Sequence, residues 1–95
     1  MTDKIFNYLK ENQEVLSTFT KAVTKVHGIH HPEVYKVREI YEKIEQKINT
    51  GDDNLESEFK LLREITLNYQ TPTDSCEAFR SVYKILKTAD ELANN

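Results

Sequence analysis

Apolar residues recur through most of the chain at steps of three and four, the spacing that places side chains on one face of an α-helix. The first series is Ile5, Leu9, Leu16, Phe19, Val23 and Val26, with Asn12 as its polar member and Phe6, Val15 and Ala22 widening the stripe. It predicts one helix from an N-cap at Thr2 or Asp3 to Gly28, about 35 Å long at 1.5 Å per residue. Asn12 within it reads as a register-fixing position or as one near the wet end of a bundle. A second series, Val34, Val37, Tyr41, Ile44 and Ile48 with Ile40 beside it, follows Pro32, whose missing N–H suits a first helical turn. Glu39 and Lys43 sit four apart in the favourable order on its outer face. That helix runs out at Asn49-Thr50-Gly51-Asp52-Asp53-Asn54.

Asp53 with Glu56 resembles a capping arrangement for a third helix carrying Leu55, Phe59, Leu62 and Thr66, reinforced by Leu61 and Ile65. It should fray near Asn68, leaving Tyr69-Gln70-Thr71-Pro72 as the connection. Asp74 with Glu77 opens a fourth helix, whose buried face is Cys76, Phe79, Val82, Tyr83, Leu86 and Ala89, extended by Leu92 and Ala93. Four amphipathic helices with short connections predict antiparallel neighbours. The expected fold is all-α, an up-down-up-down four-helix bundle, with residues 1–95 forming one domain.

Composition narrows the function. Charged residues make up 31% of the 95, above the usual share of about 25%, which suits thin helices with one apolar stripe and solvated outer faces. Two glycines and two prolines allow few tight turns, against an all-β fold. The net charge is −3 and lysines are interspersed with glutamates. No positive patch is in place to displace counterions from phosphates, so no nucleic-acid partner is expected. No apolar run approaches the roughly 20 residues that cross a bilayer, so no membrane partner is expected. Met1-Thr2-Asp3-Lys4 lacks the basic-then-apolar order of a signal peptide. A single cysteine, Cys76, fits a reducing compartment, and a cytoplasmic location is the expectation.

Candidate chemistry gathers in His27-Gly28-Ile29-His30-His31-Pro32-Glu33, which holds all three histidines. His27 extends the buried stripe of the first helix and reads as a core or boundary histidine with a hydrogen-bond partner, favoured by the helix C-terminal dipole. A three-histidine zinc or nickel site is the sharper alternative, because imidazole suits both metals, provided the helix break brings the rings together. Cys76 lies on an apolar stripe and reads as a buried structural thiol, although a first-turn position also favours a reactive thiolate. Glu56, Glu58 and Glu64 sit among lysines on the face expected to be solvated. The acidic loop at Asp52 places Ser57 where a calcium-binding loop needs glycine, so it reads as a turn. Neither a Ser-His-Asp order nor a glycine-rich phosphate loop is present, and no catalytic residue is expected.

Two ordered stretches carry a resemblance. The first is Lys25-Val26-His27-Gly28, followed by His31-Pro32-Glu33-Val34, Val37 and Tyr41. The second is Leu62-Arg63-Glu64-Ile65-Thr66, then Asn68-Tyr69, Pro72, Asp74, Cys76, Phe79, Arg80, Tyr83, Leu86 and Lys87. Together they resemble the hemerythrin-like domain of the iron-sulfur cluster repair family, over roughly residues 19 to 90. These are bacterial di-iron proteins associated with recovery from nitric-oxide and oxidative damage. The resemblance implies a four-helix bundle in which five histidines and two bridging carboxylates hold two irons. It makes His27 the counterpart of one ligand, and this chain a shortened, ligand-depleted member. Other ligand positions fall near Phe6, at Gly51 and near Leu55. A third-helix histidine falls in a deletion around residues 50 to 58, and a final His-x-x-x-Glu segment would lie beyond Asn95.

The expectation that follows is a non-catalytic, metal-free relative of the cluster-repair hemerythrins, holding no cofactor and acting as a binding or regulatory module. His27 is then a vestigial metal position, and a protein partner or a homodimer is implied. A second reading restores iron by sharing ligands across an oligomer interface or with a full-length relative. A third is a small helical immunity-type protein that sequesters a toxin or peptide, supported by size and architecture alone.

Overall fold

The structure, a computed structural model, describes residues 2–52 and 54–93. Their regular structure is five helices: α1 (Thr2–Glu11), α2 (Gln13–His27), α3 (Glu33–Thr50), α4 (Glu56–Ile65) and α5 (Glu77–Ala93). No strand occurs among the described residues, so the all-α expectation holds. The caps expected from Thr2 or Asp3, and from Asp53, fall on side chains outside those described.

The first predicted helix is two helices, and Asn12 divides them. Its backbone lies at φ −101°, ψ 6°, in the bridge region rather than the helical one. Its side-chain amide donates to the Tyr8 carbonyl at 2.8 Å, the same oxygen that accepts its own backbone N–H at 3.1 Å. Asparagine here competes with the helix for a backbone partner instead of setting register in a seam. Leu16 and Val23 of the predicted stripe stay buried in α2, joined by Thr20, whereas Val15, Ala22 and Val26 lie outside; Val26 is 67% exposed.

The other stripes pack largely as their spacing predicts. Val34, Val37, Ile40, Tyr41, Ile44 and Ile48 of α3 are buried, as are Phe59 and Leu62 of α4 and Phe79, Val82, Tyr83, Leu86 and Ala89 of α5. Ile5 and Leu9 bring α1 into the same core. Cys76 departs from the expectation, being exposed one residue before α5 begins, so the buried stripe of that helix starts at Phe79. Glu58 departs in the other direction. It is buried, and its carboxylate lies 3.0 Å from the Lys47 ammonium, tying α4 to α3.

Helix α2 packs on α3 and α5, α3 packs on α4, and α1 packs on α5. Early α2 meets late α3, where Gln13 Nε2 donates to Asn49 Oδ1 at 3.2 Å. Later α2 meets earlier α3, where Arg38 donates to the Ser17 carbonyl at 3.1 Å and to Thr20 Oγ1 at 2.8 Å. These two helices therefore run antiparallel. The Tyr41 hydroxyl, inside the same interface, donates to the Gln13 carbonyl at 3.1 Å.

The two glycines end helices for different reasons. Gly51 sits in the left-handed region at φ 82°, and its N–H and that of Asp52 close onto the Ile48 and Lys47 carbonyls. Gly28 keeps a helical backbone, and what it supplies is space. A Cβ there would collide with the Tyr35 hydroxyl and the Thr24 carbonyl oxygen. No helix among the described residues is long and apolar enough to cross a membrane.

Candidate functional site

The histidines lie where α2 turns into α3. The His30 and His31 N–H groups both close onto the His27 carbonyl, at 3.2 and 2.8 Å, which makes the corner tight. This turn presents the His31 ring to the connection between α4 and α5. His31 Nε2 lies 2.9 and 3.1 Å from the two Asp74 carboxylate oxygens, and Nδ1 lies 3.6 Å from Glu33 Oε2. The hydrogen bond from His31 holds the Asp74 carboxyl below the usual carboxylate range. Asp74 thus ties the connection to the α2–α3 corner, whereas the sequence suggested that it caps α5.

His27 sits behind this pair. Its ring meets Phe79 edge-on with centroids 5.2 Å apart, and its centroid is 6.4 Å from that of His31. Contrary to expectation, its buried Nε2 has no hydrogen-bond partner among the described residues. An aromatic edge has taken the place where a polar partner was anticipated. His30 is exposed and does not join the other two. Among the described residues no group of three or more histidine, cysteine, aspartate or glutamate side chains is arranged to hold a metal ion.

Of the positions that the resemblance marks, His27 alone supplies an imidazole. Phe6 packs against the core, Gly51 is an exposed turn, and Leu55 is buried among apolar side chains.

A second feature adjoins the histidine corner, and the sequence did not anticipate it. Leu67, Asn68 and Tyr69 follow α4 with φ of 53°, 60° and 65°, three consecutive non-glycine residues in the left-handed region. That conformation costs a residue with a Cβ about 1–2 kcal/mol, less for asparagine. Local bonds offset part of the cost. Asn68 N–H reaches the Arg63 carbonyl at 2.9 Å, Tyr69 N–H reaches Thr66 Oγ1 at 2.8 Å, and Gln70 N–H reaches the Thr66 carbonyl at 2.9 Å. Tertiary bonds contribute the rest. Buried Asp90 accepts the Tyr69 hydroxyl at 2.8 Å and lies 2.6 Å from Arg63 Nη1. Burial, then Asp90, pushes the Tyr69 phenol well above its ordinary pKa.

Between this turn and the body of the molecule lies an open groove of about 560 Å³. Ile65, Leu67 and Pro72 give it apolar surface, and Thr66, Gln70, Thr71 and Thr73 give it hydrogen-bonding groups. Glu33 and Tyr83 line it from α3 and α5. Leu67 stands 71% exposed at its edge. Tyr83 is only 2% exposed, and burial followed by the Glu33 charge pushes its phenol well above the ordinary pKa. Tyr41 and Tyr69 both donate their hydroxyls to protein acceptors, but the Tyr83 hydroxyl has no partner among the described residues.

The groove thus offers a carboxylate, an uncommitted phenol and several small polar groups beside apolar surface. His31 Nε2 is engaged by Asp74, and its Nδ1 faces Glu33 across 3.6 Å. The sequence signals for this site were present but dispersed. Asn68, a residue tolerant of left-handed backbone, precedes Pro72 by four positions, while Glu33 and Tyr83 lie far off in the chain. No known protein family, curated protein or solved structure matches the chain.

Proposed function

We propose that this chain is a non-catalytic helical binding module that engages a protein partner through the groove beside its histidine corner. The observation that carries the reading is the left-handed run at 67–69. Backbone strain of this kind persists only where surrounding structure over-determines it, and it concentrates at sites of recognition and catalysis. Here the Arg63–Asp90–Tyr69 network keeps the strained turn in place, and the product is an open groove with an exposed leucine at its edge. We further read α1 and α2 as one interrupted rod, so that five helices make an up-down-up-down four-helix bundle; the antiparallel α2–α3 pair supports this. In that reading the chain is a metal-free, cytoplasmic relative of the cluster-repair hemerythrins, and His27 is a surviving ligand position whose partners have gone.

Two measurements test these readings. A photoreactive amino acid at Leu67 is expected to cross-link one defined partner in cells that make the protein, and the same group at Lys43 on the outer face of α3 is not. Equal labelling from both positions, or none from either, would overturn the binding reading. Protein expressed with iron and purified without oxygen should carry almost no metal while keeping its helical circular-dichroism signal. Two irons per chain or per dimer with an oxo-bridge absorption band would instead restore the shared-ligand alternative.

A further inference from the structure

We infer that the groove is a slot for a lysine or arginine side chain, presented by an extended segment of the partner protein; this rests on the binding-module reading above. Among the described residues, the formally charged side chain that lines the groove is Glu33. Its Oε2 faces His31 Nδ1 across 3.6 Å, longer than a direct hydrogen bond, and its other carboxylate oxygen has no partner among the described residues. Asp74 takes the opposite nitrogen of the His31 ring. A carboxylate placed this way at a groove without lysine or arginine is complementary to a cation.

Tyr83 is the second, independent observation. A tyrosine this buried normally finds a partner for its hydroxyl, as Tyr41 does in the α2–α3 interface. Tyr83 has none among the described residues, and it lines the groove together with Glu33. Carboxylate and phenol together give an ammonium or guanidinium group two oxygens to which it can donate. Ile65, Leu67 and Pro72 supply surface for the methylene stem that carries such a head group.

The shape of the site selects the kind of occupant. Small-molecule sites bury roughly 70–90% of their ligand, and this groove is open along one side. A side chain delivered by a larger partner needs no such enclosure, because the partner's own surface closes the site. Thr71, Thr73 and Gln70 in its lining offer hydrogen-bonding groups to the backbone of an extended segment.

The test uses the full chain, labelled with ¹⁵N, and three acetylated, amidated peptides: Ala-Arg-Ala, Ala-Lys-Ala and the neutral isostere Ala-citrulline-Ala. The arginine and lysine peptides should shift the amide signals of residues 65–73, Glu33 and Tyr83. The citrulline peptide should bind about tenfold more weakly, the scale of one charge-assisted hydrogen bond. Glu33→Gln should bring arginine binding down to the citrulline level. Tyr83→Phe should weaken it about threefold without lowering the melting temperature, because no hydrogen bond within the protein is lost. Equal binding of citrulline and arginine peptides to the unaltered chain would overturn the cation slot while leaving a peptide groove. No shift with any peptide, alongside specific cross-linking from Leu67, would overturn the slot and leave the binding module. No shift and no cross-link would remove both.

Discussion

Gly51 and the 67–69 run both turn the chain through left-handed backbone, and they do so at opposite expense. At Gly51 one glycine enters that region with no Cβ to strain, its N–H closes onto the end of α3, and nothing else is recruited. At 67–69 the chain uses leucine, asparagine and tyrosine for the same purpose, and it draws on Thr66, Arg63 and a buried aspartate from another helix to hold them. The first turn is a connection. The second is a connection whose shape is enforced from outside, and it borders the groove. The contrast teaches that a left-handed residue is informative when tertiary contacts, rather than its own side chain, account for it.

The sharpest way to break the comparison is to remove the enforcement. Asp90→Ala strands Arg63 and the Tyr69 hydroxyl. It should cost about 2–3 kcal/mol in urea unfolding, below the range for fully buried ion pairs because Arg63 keeps solvent contact. It should also move the amide signals of residues 67–69 more than those around Gly51. Gly51→Ala is the reciprocal change and should cost about 1–2 kcal/mol, since its Cβ meets no neighbour and the penalty is backbone strain alone. Asn68→Gly should act in the opposite direction, stabilising the fold by up to about 1 kcal/mol by relieving strain, less what the freer unfolded chain takes back. A destabilising Asn68→Gly would mean that the turn is not strained, and would remove the main support for the groove as a functional site.

The smallest effect at neutral pH is an alkaline one. Burial first, and then neighbouring carboxylates, raise the phenol pKa values of Tyr41, Tyr69 and Tyr83 above the ordinary value of about 10. The unfolded chain therefore loses protons before the folded one does. The stability these groups contribute is complete below about pH 10 and is lost as pH rises beyond it. Chemical denaturation between pH 8 and 11 should show a flat region followed by a fall, and Tyr69→Phe should make that fall shallower.

Periodicity made the inner faces of α3, α4 and α5 legible, because apolar residues every three or four positions can be buried together on only one side of a helix. It failed at Asn12 for a local reason. A polar residue in a stripe reads as a tolerated exception, and nothing in the spacing reveals that its amide reaches back to the Tyr8 carbonyl and divides the helix there. Cys76 was misplaced because a continuous pattern does not show where a helix begins. Glu58 was misplaced because Lys47, which draws it inward, lies on another helix. The histidine corner was visible as a cluster, but its chemistry was not. Whether an imidazole meets a metal, a carboxylate or a phenylalanine edge depends on Asp74 and Phe79, more than forty residues away. The groove was the least legible feature, since Glu33, Leu67 and Tyr83 share no local pattern.

The interruption at Asn12 has a consequence for how the molecule comes apart. In an unbroken helix each turn is coupled to the next through the backbone ladder, so its ends are held by its middle. With helical backbone geometry interrupted at Asn12, α1 is retained chiefly by what Ile5 and Leu9 bury against the rest of the core. That makes the first ten helical residues a separate opening unit, released at a lower free energy than the whole. Its departure would uncover the face of α5 that it protects and leave the histidine corner, at the far end of α2, undisturbed.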